Sequence, residues 1–197
     1  MLKTERMDRV RAALRAQGLT QMIVCDPKSV WYLTGVAVEP YERLLALYLP
    51  TEGDPVLFLN RLFNVPEPPC RTVWHTDTDK PVAQIAEVVD AGKPLGIDKE
   101  WPAKFLIPLM ETHPGMQVVL SSDCVDDCRA CKDAEEQALM REASRINDAV
   151  NEAAKHYIKA GMTEREVAEF IDAQYRAHGC EGPSFTTIVS FGANAAD

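Results

Sequence analysis

A long segment without helix breakers, residues 133–158, constrains the second half of the chain more than any other feature. Its apolar residues recur at alternating spacings of four and three, which places them on one face of a helix. They are Leu139, Ala143, Ile146, Val150, Ala153 and Tyr157. Asp133 and Glu136 fit a capping box, in which each side chain accepts a hydrogen bond from the other residue's backbone N–H. The segment is predicted to form one helix.

The residues after this helix predict a second helix and then a strand. Gly161 ends the first helix, and Thr163 with Glu166 repeats the capping arrangement at the start of the next. Residues 185–190 are predicted to form a strand. Because two helices and one strand leave that strand without a neighbour, we interpret the chain as stopping, at Asp197, inside an incomplete domain.

The first part of the chain alternates between strand and helix patterns. Strands are predicted at 22–25, 44–49, 56–59, 72–74, 95–97 and 117–120, and helices at 4–17, from 26 onward, at 81–89 and at 99–111. This alternation is typical of an α/β layer structure. We therefore predict a first domain over residues 1–127 and the beginning of a second over 128–197.

Charge and hydropathy exclude two classes of partner. The net charge is −9 with 30 acidic and 21 basic residues, whereas a nucleic-acid-binding domain normally carries a basic patch. No apolar run is long enough to span a bilayer, and the charged N-terminus lacks the apolar core of a secretion signal. We expect a cytoplasmic protein that binds neither nucleic acid nor membrane, with its six cysteines present as free thiols.

Three of those cysteines are clustered, at Cys124, Cys128 and Cys131. A structural zinc site needs four tetrahedral ligands, and the fourth is missing because neither His113 nor His156 lies at a zinc-finger spacing. Three free thiols are the preferred interpretation, with zinc as the open alternative.

A second possible metal set is formed by His75, Asp77 and Asp79, since alternate residues of an extended segment face the same way. A polar loop before a helix that starts with proline is the preferred interpretation. His156 and His178 lie on predicted helices and are interpreted as surface or packing residues. Phosphate-binding and dinucleotide-binding glycine motifs are absent from the sequence, as is the nucleophile elbow. The residues alone therefore predict no active site.

Several segments together carry a resemblance to a known family. They are MDRVRAALRAQG at 7–18, DPKSVWYLTG at 26–35, KD at 132–133, MREA at 140–143, GMTE at 161–164 and EGPSFTTIVSFGAN at 181–194. In this order they resemble the creatinase, prolidase and aminopeptidase P family of Xaa-Pro peptidases. The resemblance implies an N-terminal creatinase-like domain with a mixed sheet. The first two helices and first strand of a truncated pita-bread α+β domain would follow.

The resemblance also implies where the chemistry lies. In this family a histidine follows the strand, and two Asp, a His and two Glu then hold a pair of divalent metals, all at positions beyond Asp197. We therefore expect no catalytic residue and no metal ligand in this chain, Asp197 included. Phe185 and Ile188 are the candidate substrate-binding residues, as apolar walls of the proline pocket, although ordinary strand core explains them equally well.

The implied activity is hydrolysis of peptide bonds next to proline. Two metals (Mn, Co or Zn) in the complete protein would generate hydroxide and polarise the carbonyl, whereas this chain alone is predicted to be inactive. The family resemblance also implies a homodimer, in which the loop at 36–42 is a candidate to reach the other subunit's site. Two alternatives stay open: a creatinase-like or otherwise diverged hydrolase of the same fold, and a non-catalytic dimerisation module.

Overall fold

The structure, a computed structural model, describes residues 2–195. Its contacts divide the chain into two compact units, 1–131 and 132–197, which are described separately below. The domain boundary predicted after residue 127 falls inside the last helix of the first unit, Asp123–Ala130. Asp197, where the sequence predicted an interrupted domain, lies outside the described residues.

The first unit contains six strands and five helices among its described residues. The strands are β1 (Gln21–Val24), β2 (Ala46–Pro50), β3 (Val56–Asn60), β4 (Arg71–His75), β5 (Leu95–Ile97) and β6 (Val118–Leu120). The helices are α1 (Thr4–Ala16), α2 (Pro27–Thr34), α3 (Pro81–Ala86), α4 (Ala103–Thr112) and α5 (Asp123–Ala130). The predicted α/β class is confirmed.

The strands form one mixed sheet in the order β4-β3-β2-β1-β5-β6. Only β2 runs antiparallel to its neighbours; the β3–β4, β1–β5 and β5–β6 pairs are parallel. The carboxyl ends of five strands therefore meet at one edge of the sheet. The last residues of those strands, such as Asn60 and His75, are brought to that edge.

Two hydrophobic cores lie on opposite faces of this sheet. Alternate residues of β1 contribute to each, with Met22 in one core and Ile23 in the other. Helices α1, α2 and α5 cover the first face, and α3 and α4 cover the second. All four residues of β1 are buried, as expected for a strand covered on both sides.

Helix α2 begins and ends where local chemistry predicts. The Asp26 carboxylate accepts hydrogen bonds from the backbone N–H groups of Ser29 (2.9 Å) and Lys28 (3.3 Å), which satisfies two donors of the first turn. Gly35 closes the helix with φ of 76°, a conformation that favours glycine. These contacts fix the direction in which the chain enters the loop at 36–42.

Helix α4 starts later than the predicted range 99–111. It begins at Ala103, directly after Pro102. The proline ring disfavours helical backbone at the preceding residue, Trp101, and Pro102 itself has extended backbone with ψ of 134°. Residues 99–102 instead form the connection from β5.

Helix α5 was not predicted. Its eight residues include four charged side chains, and its buried residues are Cys124, Val125 and Cys128. Two of these three are cysteines rather than the large aliphatic residues that mark an amphipathic helix. The helix packs on α1 and α2 through this small apolar face.

The second unit contains α6 (Ala134–Tyr157), α7 (Glu164–Ala177) and a short 3₁₀ turn at Gly192–Ala195. Both predicted capping boxes are confirmed. Asp133 accepts from the Glu136 N–H at 2.9 Å, and Glu136 accepts from the Asp133 N–H at 3.0 Å. Thr163 and Glu166 make the equivalent pair of bonds at 3.3 and 2.8 Å.

The predicted apolar face of α6 is buried only toward its carboxyl end. Val150 is buried there, whereas Leu139 is 66% exposed. The 14 residues of α7 extend about 21 Å, which is too short to cover the 24 residues of α6. Within this unit, Tyr157 stacks on Phe170 of α7 with ring centroids 3.8 Å apart.

The strand predicted over 185–190 is not formed. The segment is irregular in the structure, and Phe185 and Ile188 are exposed. A β-strand needs a neighbouring strand to pair its backbone groups, and the described part of this unit provides only helices and a 3₁₀ turn. The strand predicted from the apolar pattern of residues 185–190 is therefore wrong for this chain.

Candidate functional site

The segment 185–195 carries both residues that the sequence predicted to bind substrate. Phe185 is 72% exposed and Ile188 is 78% exposed. Ile188 lines an open cleft of about 610 Å³ together with residues of α6 and α7, whereas Phe185 lies outside its lining. The structure thus gives Ile188 a place in a cavity wall and leaves Phe185 on the surface; their role in substrate binding stays a prediction.

Polar contacts hold this segment against α7. The Thr187 hydroxyl donates to Asp172 Oδ1 at 2.5 Å. Glu164, in the first turn of α7, accepts from the Phe191 N–H at 2.7 Å and from Asn194 Nδ2 at 3.0 Å. These carboxylates position an otherwise irregular segment whose apolar side chains are presented outward. Sequence reasoning assigned no contact to Glu164 or Asp172, because their hydrogen-bond partners lie 15 to 30 positions away along the chain.

The cleft next to Ile188 has both charged and apolar walls. Asp148, Glu152 and Lys155 of α6 form its charged part, and Ile158, Val167, Ile171 and Val189 supply much of its apolar part. Lys155 Nζ lies 3.0 Å from Glu152 Oε2, so part of this charge is already paired within the helix. An apolar side chain and a nearby dipolar group would both be accommodated here.

A second polar cluster lies at the carboxyl ends of β3 and β4. His75 is buried, with Nδ1 3.3 Å from Asn60 Nδ2 and Nε2 3.1 Å from the Leu44 carbonyl oxygen. Asp77 accepts from Arg43 and Asn60. The Arg43 side chain, as a hydrogen-bond donor, holds the pKa of Asp77 below its ordinary value.

These contacts favour a structural role for the predicted set of His75, Asp77 and Asp79. Asp79 accepts from the Thr76 N–H at 2.6 Å and from its hydroxyl at 2.8 Å, which lowers the pKa of Asp79. Each of the three side chains is therefore engaged by a protein donor or acceptor. A cleft of about 370 Å³ lies beside the cluster. Arg43, which sequence reasoning missed, is its central cation.

The cysteine cluster is divided by burial. Cys124 and Cys128 face the core from α5, whereas Cys131, immediately after the helix, is exposed. All six cysteines are free thiols in the structure. Within residues 2–195, no group of three or more His, Cys, Asp or Glu side chains is placed to hold a metal ion. The divalent metals expected for the complete protein therefore do not fit the residues described here.

The loop at 36–42 and the adjacent end of α2 form an exposed surface. Trp31 is 53% exposed and lines a groove of about 230 Å³ with Pro27, Lys28 and residues 37–39 of the loop. Tyr41 is 79% exposed and has φ of 50°, which is unusual for a residue other than glycine. The loop and helix α2 thus each present one exposed aromatic side chain.

The remaining histidines are surface or capping residues. His156 lies on α6 with Nε2 3.1 Å from Glu152 Oε1, and His178 is the C-cap residue of α7.

In the described part of the chain, no helix is long and apolar enough to cross a membrane.

Family models decide the identity of both units. Residues 6–131 match the Creatinase/Prolidase N-terminal domain, and residues 138–197 match Metallopeptidase family M24. The chain belongs to the creatinase/prolidase family. The resemblance predicted from the sequence is thereby confirmed, together with the mixed-sheet fold of the first unit.

Individual proteins are similar to nearly the whole length of this creatinase/prolidase family chain. An uncharacterized peptidase of Staphylococcus epidermidis is 26% identical over 191 residues, which cover 95% of this chain and 54% of the relative. The crystal structure of dipeptidase PepE from Mycobacterium ulcerans superposes with a TM-score of 0.80 at 27% identity, over 92% of this chain and 51% of that one.

A prolidase from Thermococcus sibiricus gives a TM-score of 0.83 at 25% identity, over 94% of this chain and 53% of its own. The chain therefore spans about half the length of the relatives that it matches.

Proposed function

We propose that this chain is the N-terminal portion of a metal-dependent Xaa-Pro peptidase, of the aminopeptidase P or dipeptidase type, and that it has no peptidase activity alone. The observation that carries the proposal is the match of the two units, in order, to the creatinase/prolidase N-terminal model and the M24 metallopeptidase model. The similarity to a dipeptidase and a prolidase over more than 90% of this chain supports the substrate class.

The arrangement of the possible metal-ligating side chains supports the proposed inactivity of the chain alone. The residues from 2 to 195 bring no three metal-ligating side chains together, and His75 with Asp77 is engaged by Asn60, Arg43 and the Leu44 carbonyl group. No catalytic step is assigned to these residues. In a complete enzyme, the contribution of this chain would be to bind the substrate and to contact the other subunit.

The binding contribution is assigned to the segment 185–195. Glu164 and Asp172 hold this segment by hydrogen bonds, while Phe185 and Ile188 remain free to contact a ligand. Apolar side chains of this size suit the ring of a prolyl residue, since burying them against it removes apolar area from water. We assign Ile188 to the pocket wall on the basis of its position beside the cleft, and Phe185 on the family resemblance.

The loop at 36–42 is assigned to a homodimer contact. Its exposed Tyr41, together with Trp31 on α2, is an aromatic surface of the kind enriched at protein interfaces. In the proposed dimer this surface lies against the other subunit near its substrate. A creatinase-like hydrolase of the same fold is the alternative function, since it would use the same apolar walls on a small non-peptide substrate.

Hydrolysis assays separate these functions. The 197-residue chain and the full-length gene product are incubated with an Xaa-Pro dipeptide in manganese or cobalt, with the Thermococcus sibiricus prolidase as positive control. We expect turnover by the full-length protein and none by the 197-residue chain. Turnover by the short chain contradicts its proposed inactivity, whereas creatine hydrolysis without dipeptide hydrolysis by the full-length protein supports the alternative.

A further inference from the structure

Two cysteines at the end of the first unit are spaced as a Cys-x-x-Cys pair. Cys128 lies in the last turn of α5, and Cys131 is the residue directly after the helix. Such spacing in a reduced compartment is associated with zinc sites or with thiol–disulfide chemistry. The described residues bring no third metal-ligating side chain to this pair, so zinc is not supported. The thiol–disulfide possibility depends on geometry.

The backbone brings the two residues to disulfide distance. Arg129 and Ala130, which separate them, are both helical. Helix geometry places Cα atoms three residues apart at about 5 Å. Disulfides span Cα separations of roughly 4.4 to 6.8 Å, so the Cα separation of the pair lies inside the permitted range.

Side-chain contacts hold this turn in place. Arg9 Nη2, from α1, donates to the carbonyl oxygens of both Cys128 (2.9 Å) and Cys131 (3.4 Å), so the two residues converge on one guanidinium. The Tyr32 hydroxyl also donates to the Cys128 carbonyl oxygen at 3.2 Å. Burial raises the pKa of Cys128, while the positive charge of Arg9 lowers it in part.

The two thiols differ in accessibility in the way that a redox pair requires. Cys131 is exposed to solvent, whereas Cys128 is 8% exposed. A soluble oxidant therefore reaches Cys131 first. Cys128, held one turn back, is the thiol positioned to react with the oxidised sulfur before a second oxidant molecule does.

We propose that Cys128 and Cys131 form a reversible intramolecular disulfide in response to a peroxide oxidant. The Cys131 sulfur attacks one peroxide oxygen and the O–O bond breaks, which yields a sulfenic acid and one water molecule. The Cys128 thiol then attacks that sulfur, the S–S bond forms, and the sulfenic oxygen leaves as a second water. The two thiols have lost two electrons and two protons, and hydrogen peroxide has been reduced to two waters.

The nearest competitor for Cys128 is Cys124, one turn earlier on the same helix. It is 1% exposed, and burial raises its pKa to about 11. The thiolate is the reactive form, so Cys124 is both shielded and almost fully protonated at neutral pH. The reaction is therefore directed to Cys131.

The position of the pair gives the disulfide a structural consequence. Cys131 is the last residue of the first unit, and Asp133, which caps α6, follows two positions later. A disulfide at this point links the last turn of α5 to the residue directly after it, within the first unit. The pair is therefore a redox-sensitive closure of the helix end, and it operates independently of peptide hydrolysis.

Peptide mapping tests the proposal on the intact 197-residue chain. The reduced protein is treated with hydrogen peroxide, remaining thiols are alkylated in acid, and the protein is digested with Asp-N protease and trypsin. Cleavage before Asp127, after Arg129 and after Lys132 separates the two cysteines into different peptides, and cleavage before Asp126 removes Cys124 from both. A Cys128–Cys131 disulfide is then seen as two short peptides joined until dithiothreitol is added.

We expect the joined peptides to account for most of Cys131 after oxidation, with Cys25 and Cys124 still alkylated. Cys131→Ser should abolish them, and Cys180→Ser, the matched control in the second unit, should leave them unchanged. Three results would overturn the proposal: separate alkylation of Cys128 and Cys131, accumulation of Cys131 as a sulfinic acid, or a disulfide-linked dimer through Cys131. Circular dichroism of Cys131→Ser establishes that the variant is folded.

Discussion

Arg43 and Asp77 form a two-bond ion pair that joins the chain before β2 to the chain after β4. Arg43 Nε donates to Asp77 Oδ1 and Nη2 donates to Oδ2, each at 2.9 Å. Asn60, at the end of β3, donates to Oδ1 at 2.8 Å. Three connections at the carboxyl edge of the sheet are therefore tied to one carboxylate.

Asp77→Asn is expected to lower the urea midpoint at neutral pH, because the amide group cannot accept from both Arg43 nitrogens. The pKa of Asp77 is held below its ordinary value of 3.8 by Arg43, so the wild-type contribution is fully present above that value. It is lost as pH falls through the lower folded pKa. Urea unfolding from pH 7 to pH 2 should therefore show the difference between the two proteins shrinking in the most acidic samples.

Glu111→Gln is the matched control for this prediction, since Glu111 is an exposed carboxylate on α4. Its unfolding midpoint should follow wild type at every pH. A constant difference between Asp77→Asn and wild type down to pH 2 contradicts the assignment of the pH dependence to this pair.

Gly96 is required by the close approach of three chain segments around β5. A Cβ atom at this position lies 2.5 Å from Ser121 Oγ and 3.2 Å from the Gln21 carbonyl oxygen. Gly96→Ala is expected to destabilise the first unit by about 1–3 kcal/mol, the usual cost of overpacking a filled site. Chemical denaturation of the 197-residue chain measures this change.

The double variant Gly96→Ala/Ser121→Ala distinguishes steric overlap from other causes. Removing Ser121 Oγ should recover part of the loss, although the Gln21 oxygen still limits the space. Gly182→Ala is the control, because nothing lies within 4 Å of a Cβ atom there and the midpoint should not change. A double variant less stable than the sum of its single changes argues against the overlap.

Local patterns predicted the elements that depend on neighbouring residues alone. The capping pairs at Asp133 and Thr163 were predicted from side chains three residues apart, because such bonds form within one turn of helix. The strands of the first unit were recognisable because each is a short β-favouring run between turn residues. The family resemblance added the order of the two units, which no single element contains.

The features that sequence reasoning missed depend on distant parts of the chain. The pairing of Arg43 with Asp77 spans 34 positions and is visible only once β3 and β4 are aligned. Residues 185–190 have β-favouring composition, yet their conformation is set by whether a neighbouring strand exists. The difference in solvent exposure between Cys128 and Cys131 depends on the burial of Cys128 against α1, which the spacing of the cysteines does not reveal.

Asp98 is a buried carboxylate that organises the carboxyl ends of β1 and β5. Its Oδ2 accepts from the N–H groups of Cys25 and Asp26, the latter at 2.8 Å, and Oδ1 accepts from Glu100 N–H at 3.1 Å. Asp98→Asn turns one acceptor into a donor that faces an N–H group. We expect a loss of about 1–3 kcal/mol in the free energy of unfolding at neutral pH, the usual cost of an unsatisfied buried group.

The pH dependence of this variant has the opposite sign to that at Asp77. Burial raises the pKa of Asp98 above 3.8, although the three accepted N–H bonds lower it in part. The folded state therefore holds a proton that the unfolded state releases, and this contribution to stability falls as pH rises from 3.8 through the folded pKa. Asp98→Asn should lack that decline, so its deficit relative to wild type should be larger near pH 4 than at pH 7. If the stability deficit of Asp98→Asn instead grows between pH 4 and pH 7, the raised pKa of Asp98 is not the cause of the pH dependence.

Glu164 is expected to control the local stability of the segment that carries Phe185 and Ile188. It accepts from the Phe191 N–H and from Asn194 Nδ2, so Glu164→Ala removes both attachments of the segment's end. We expect hydrogen exchange at the Phe191 amide to accelerate on the order of ten-fold, as for loss of one protecting contact in a locally opening segment. Exchange is measured by NMR on the 197-residue chain.

Glu164→Gln separates geometry from charge, because its amide oxygen can still accept from Phe191 N–H while the negative charge is gone. Exchange at Phe191 should then lie between wild type and Glu164→Ala. Glu169→Ala, an exposed change elsewhere on α7, should leave it unchanged. Equal exchange in all four proteins would contradict this prediction. The hydrogen bond from Thr187 to Asp172 would then be the contact that holds the segment.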